Sequence, residues 1–218
     1  MLAAALRILF NQTAAAKEDP GGDLGQVVSK IQTTYEKLKD LQADFVQTVR
    51  FKDFDTPFVS KGKLFLKKGK MRWDYREPSQ QQIFVEGEKV LYYIPAHQQV
   101  IQSRIGGESD SHLPLQLLTG TGRLEQNFEI SMQKTAPSSP KEVSLRLVPK
   151  KAGTLTEIIA TVFPFPSPEY WIIKKIVLYE QNGNISTFSF EEIELNKEIP
   201  ESLFVFKIPK GIEMIESP

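Results

Sequence analysis

The chain has 218 residues, enough for one large or two small domains with a substantial core. Its 27 basic and 27 acidic residues cancel, so net charge supplies no pull toward nucleic acid or an anionic membrane. Cysteine is absent, which excludes disulfides, thiol catalysis and thiolate metal sites, and the 14 phenylalanines call for either a thick core or an apolar binding surface.

In chain order, the apolar run MLAAALRILF (1–10) is too short to span a bilayer and is interrupted by Arg7. Ala14-Ala15-Ala16 resembles a small-residue cleavage site. Residues 1–16 therefore read as an export signal and 1–22 as signal plus spacer, with a frayed helix as the plainer alternative. Residues 23–218 read as a single domain. Asp23 to Leu41 predicts a helix, because Leu24, Val27, Val28, Ile31, Tyr35 and Leu38 form one apolar stripe and Asp23 is placed to cap it.

Phe45, Val49 and Phe51 alternate through the first strand. The stretch GKLFLKKGKMRWDYREPSQQQIFVEGEKVLYYI (62–94) then reads as four short strands. Leu64 and Leu66 share a face of one. Met71, Trp73 and Tyr75 share a face of the next, with Arg72, Asp74 and Arg76 opposite. Ile83 and Val85 repeat the period of two, and Pro78 and Gly87 mark turns. Residues 98–104 predict another strand. Gly106 and Gly107 open a loop, and LPLQLLTG (113–120) predicts a short apolar helix stopped by glycine. Strands resume at 127–132, 142–148, 156–163, 170–180 and 184–195, the last two joined at Gln181-Asn182-Gly183, and FVFKIP (204–209) is expected to close the sheet. The total is about eleven strands with two or three helices, an α+β count.

A search for chemistry yields little. His97 and His112 fall in loops with no carboxylate at ligand spacing, so no metal is expected. Glu191, Glu192 and Glu194 fall on a strand, which predicts Glu192 and Glu194 on one face and Glu191 on the other with Ile193 and Leu195, not an acid/base pair. Lys67, Lys68, Lys70 and Arg72 form a basic run beside Trp73, read as solvated turn lysines rather than a nucleic-acid contact. No nucleophile elbow, phosphate loop or dinucleotide fingerprint occurs. The sequence does not describe an enzyme and calls for no cofactor.

What remains is apolar surface. A curved sheet with so few helices either closes on itself or stays half-open, its concave face under the helices. A dry cavity of that kind suits an acyl chain: at ~0.8 kcal/mol per methylene, a chain of about fifteen gains roughly 12 kcal/mol on burial. The bulkier strand faces are the candidate lining: Phe45, Val49, Leu64 and Leu66; Met71, Trp73 and Tyr75; and Ile83, Val85, Leu91 and Tyr93. Leu115 and Leu118 are the lid candidates.

The helix followed by LQADFVQTV, GKLFLKKGKMRWDY and IFVEGEKVLYYIPAHQQV resembles the periplasmic outer-membrane lipoprotein carrier family, LolA. The tail FSFEEIELNKEIPESLFVFKIPKGIEMI is similar to the family's closing pattern, so the likeness covers residues 23–216. It implies an incomplete, half-open antiparallel β-barrel lidded by helices, in a soluble, monomeric, periplasmic protein. The implied partners are acylated lipoproteins, an inner-membrane ATP-driven release complex and an outer-membrane acceptor of similar fold. One departure stands out. Family members carry Lys-Arg-Pro before the Trp strand, where this chain has Lys67-Lys68-Gly69-Lys70, making Lys68 the nearest counterpart of the basic residue that governs the lid. A lipoprotein-sensing interaction module and a glycolipid carrier of the same fold are the competing readings.

Overall fold

The computed structural model describes residues 23–104, 118, 124–133, 141–165 and 170–216. Its twelve strands form one sheet in the order β12-β6-β5-β4-β3-β2-β1-β11-β10-β9-β8-β7. They are β1 (Asp40–Arg50), β2 (Phe58–Lys67), β3 (Lys70–Glu77), β4 (Gln81–Glu86), β5 (Lys89–Ile94), β6 (Gln99–Arg104), β7 (Phe128–Met132), β8 (Val143–Pro149), β9 (Leu155–Pro164), β10 (Trp171–Glu180), β11 (Ile185–Leu195) and β12 (Glu213–Glu216). All neighbours pair antiparallel except β12, which runs parallel to β6. The terminal strands β12 and β7 do not pair with each other, so the sheet is open. The two α-helices among the described residues are α1 (Leu24–Lys37) and the single turn α2 (Leu124–Asn127).

The apolar stripe predicted for α1 packs as expected, with Val27, Val28, Ile31 and Thr34 buried. Asp23 occupies the N-cap through its backbone carbonyl, which accepts from Gln26 and Val27; its side chain makes no capping bond. The helix stops at Lys37, and β1 begins at Asp40, earlier than the alternation starting at Phe45 indicates. Thr34 ties the helix to the sheet: its hydroxyl donates to Lys30 O (2.7 Å) and accepts from Trp171 N–H (2.8 Å).

The sheet is strongly bent. Between β3 and β11 lie three strand spacings, on the order of 14 Å in a flat sheet. Yet the rings of Trp73 and Phe188 are 5.2 Å apart. Gly62 makes this possible. A Cβ there would lie 1.9 Å from Asp74 O and 2.8 Å from the Phe45 ring, so only glycine lets Phe45 lie across β2 and reach Trp73. The β2–β3 register shifts at the same point, between Lys61 and Gly62.

Two predicted features are corrected. FVFKIP (204–209) is not a strand; residues 201–204 form a short 3-10 turn, and the closing strand is β12 at Glu213–Glu216. The segment crosses the outer face of strands already paired on both sides, so it finds no free ladder and is held by side chains instead. Around Glu192 (φ 47°) a bulge sets Gln42 and Asp44 against Glu194 and Glu191. The parity expected for Glu191 therefore fails: it faces outward opposite Asp44, while Ile193 and Leu195 pack toward the core.

Candidate functional site

The inner face of β1–β4 and β11 is lined by rings. Phe45 meets Trp73 edge-on at 5.1 Å and Tyr75 at 5.0 Å, Trp73 stacks on Tyr75 at 6.3 Å, and Phe188 and Phe190 close on Trp73 from β11. These edge-to-face distances fall in the range that aromatic pairs favour. Beyond β11 the lining turns aliphatic: Ile176, Ile158, Ala160, Leu145 and Leu147 are all buried. Register explains the shared face, because Leu64 lies opposite Trp73, Leu66 opposite Met71, Trp73 opposite Ile83, and Met71 opposite Val85.

Of the expected lining, Phe45, Leu64, Leu66, Met71, Trp73 and Val85 are buried on this face; Val49, Tyr75 and Ile83 are half-buried on it. Burial raises the Tyr75 phenol well above its ordinary value, with a smaller contribution from Tyr92. Leu91 and Tyr93 are corrected. They pair with Phe84 and Gln82, and so lie on the outer face, whereas Val90 and Tyr92 face inward. All the residues of 90–94 are bulky, so alternation alone does not choose a face; register does.

Leu118 is helical, 2% exposed, and shares a crevice with Tyr35, Leu38, Leu66 and Lys68. The space left there is about 20 Å³, room for a single water, so Leu118 is seated rather than standing off. Leu115 lies outside the described residues. Lys68 is exposed at the β2–β3 turn, beside Leu118, with no ion pair among the described residues. Tyr35, in the last turn of α1, accepts a weak bond from Ile173 N–H (3.4 Å), and burial raises its phenol well above its ordinary value.

The outer face carries a different construction, which the sequence did not announce. Asp40 is buried, and its carboxylate accepts from Lys197 N–H (2.7 Å) and Ile199 N–H (3.1 Å), pinning residues 196–199 to the start of β1. From there a strap runs over β2–β5. Lys67 donates to Ile199 O (2.7 Å) and pairs with Glu201 (2.9 Å), Lys70 pairs with Glu201 (3.1 Å), and Arg72 donates to Leu203 O (3.0 Å). Phe206 lies against Phe84 (5.0 Å) and Tyr93 (5.2 Å), and β12 then extends the sheet beside β6. Three members of the basic run are thus the strap's fasteners. His97 sits in a 3-10 turn with no carboxylate cluster; His112 lies outside the described residues. Among the described residues no group of potential metal ligands gathers, and no helix is long and apolar enough to cross a membrane.

The family description "Outer membrane lipoprotein carrier protein LolA" matches residues 36–207. The chain belongs to the LolA family. Outer-membrane lipoprotein carrier proteins of Nitrosomonas europaea and Nitrosospira multiformis are 30% and 27% identical to this LolA-family chain, each over 86% of it and over 88% and 87% of their own lengths. Among solved structures, an uncharacterised conserved protein of Thermus thermophilus superposes with a TM-score of 0.55 at 10% identity, covering 89% of this chain and 100% of its own, a likeness of fold alone.

Proposed function

We propose that this protein is a soluble periplasmic carrier that shields the acyl chains of lipoproteins against the inner face of its sheet and shuttles them from the inner to the outer membrane. The observation that carries the reading is the continuous ring-lined inner face from Phe45 through Trp73 to Phe188, in a chain whose relatives are lipoprotein carriers. Phe45, Val49, Leu64, Leu66, Met71, Trp73, Tyr75, Ile83 and Val85 face the acyl chains. The sheet acts as a half-open barrel, with α1 and the segment holding Leu115 and Leu118 as its lid and Lys68 as the basic residue beside Leu118.

Transport by such a device uses no nucleotide of its own. An ATP-driven inner-membrane complex loads it, an outer-membrane acceptor unloads it, and lid opening exposes the lining at each end. In the closed arrangement Leu118 fills the space at the lid edge, so loading requires that contact to part. The aromatic packing suits repeated parting, because its contacts are dispersive and carry little directional bonding.

The test is a release assay with membranes holding labelled triacylated lipoprotein and the ATP-driven complex. Soluble lipoprotein should appear only when this protein is added, co-migrating with it one to one. Absence of release by the folded protein would overturn the reading.

A further inference from the structure

Trp73 is 4% exposed, and its indole N–H has no hydrogen-bond acceptor among the described residues. Its ring neighbours are Phe45, Phe188, Phe190 and Tyr75, and three of these four side chains carry no oxygen or nitrogen at all. An indole nitrogen can only donate, and buried donors in folded proteins are almost always satisfied. Phenylalanine, used at 14 positions in this chain, would fill an aromatic site here without leaving an orphan. A second donor in the same condition is the Gln32 side-chain amide on α1, the helix that packs on the same core.

A pure hydrocarbon relieves neither group. The acceptors that an acylated ligand brings into an apolar interior are the carbonyl oxygens of its ester and amide linkages. We propose that the Trp73 N–H is a specificity group that binds an acyl carbonyl of the cargo, so that the site recognises acyl esters and amides rather than alkyl chains as such. The inference rests on the carrier reading and deepens it. It makes hydrophobic burial the source of affinity and one buried hydrogen bond the source of discrimination, since a site built to donate loses most when the partner lacks the acceptor.

The experiment compares a synthetic diacylglyceryl-cysteine peptide with its dialkyl-ether counterpart, identical but for the carbonyls, on the full chain and on Trp73→Phe. The wild type should bind the ester form about five- to tenfold more tightly, the size of one net hydrogen bond. Trp73→Phe should bring that ratio close to one by weakening the ester form more than the ether form, whatever apolar contact both peptides lose with the indole. An unchanged ratio in Trp73→Phe overturns the proposal. So does a ratio near one in the wild type, which needs no variant to fold. Failure of the wild type to bind either peptide would overturn the carrier reading as well, and the release assay distinguishes that result from a loss of discrimination alone.

Discussion

The two faces of the β2–β5 region are held by different physics. On the inner face Phe45, Trp73 and Tyr75 meet through ring edges and stacks, and the Trp73 N–H is left without an acceptor among the described residues. On the outer face the strap is fastened by directional bonds: two to the Asp40 carboxylate, two to backbone carbonyls from Lys67 and Arg72, and ion pairs to Glu201. Directional bonds define one geometry, whereas dispersion contacts tolerate exchange of the partner. The lesson is a division of labour, in which the outside holds the curvature and the inside stays free to trade its own rings for hydrocarbon.

The harshest way to break this division is at Gly62, where both faces meet. In Gly62→Val the new side chain would start 1.9 Å from Asp74 O and strike the Phe45 ring, so the bend itself is lost. We expect destabilisation of more than about 4 kcal/mol in a denaturant titration, or no soluble protein at all. Asp40→Ala attacks the outer face alone. It strands the Lys197 and Ile199 N–H groups and should cost about 3 kcal/mol, with early proteolytic cleavage after residue 195 while inner-face near-UV dichroism persists. Simultaneous loss of the dichroism would show that the two faces are not separable.

Leu118→Ala addresses the inner side. It should cost about 2 kcal/mol, within the range for a buried leucine, and should raise binding of an apolar dye without freeing the strap. The smallest effect belongs to Glu201→Gln. The Glu201 carboxylate is held below its ordinary 4.5 by hydrogen bonds from Lys67 and then Lys70. Its stabilisation is therefore complete above 4.5 and fades as pH falls through the lowered value. The variant should flatten that acid dependence at low salt and differ little from the parent at high salt, as thermal melts across about pH 3–6 would reveal.

Much of the inner face was legible because its strands are amphipathic. Leu64 and Leu66, and Met71 and Trp73, each alternate with polar or less buried residues, and alternation reports a face whenever the other side meets water. The reading failed where that condition fails. Residues 90–94 are bulky on both sides because Phe206 covers the outer one, so parity could not separate Tyr93 from Tyr92. The same covering role explains why FVFKIP looked like a strand: its alternate phenylalanines are apolar because they lie on a sheet, not within it. Glu191 was misplaced by a bulge, which period-two counting does not detect. Asp40 gave no signal, since a lone aspartate after a helix looks like a surface residue until its partners arrive from 157 and 159 residues downstream.

That separation in sequence has a kinetic meaning. The middle of the sheet is the pairing of β1 with β11, where Leu41 lies opposite Leu195. Strands β1 to β6 can zip as successive hairpins while the chain emerges, but β1 keeps a bare edge until nearly the last strand is made. Contacts so distant along the chain slow folding, and an unpaired edge beside exposed rings invites association with other chains. The newborn protein therefore passes through a stage in which its own Phe45 and Trp73 are exposed apolar groups in water. For that interval the molecule needs the kind of shelter that it later gives.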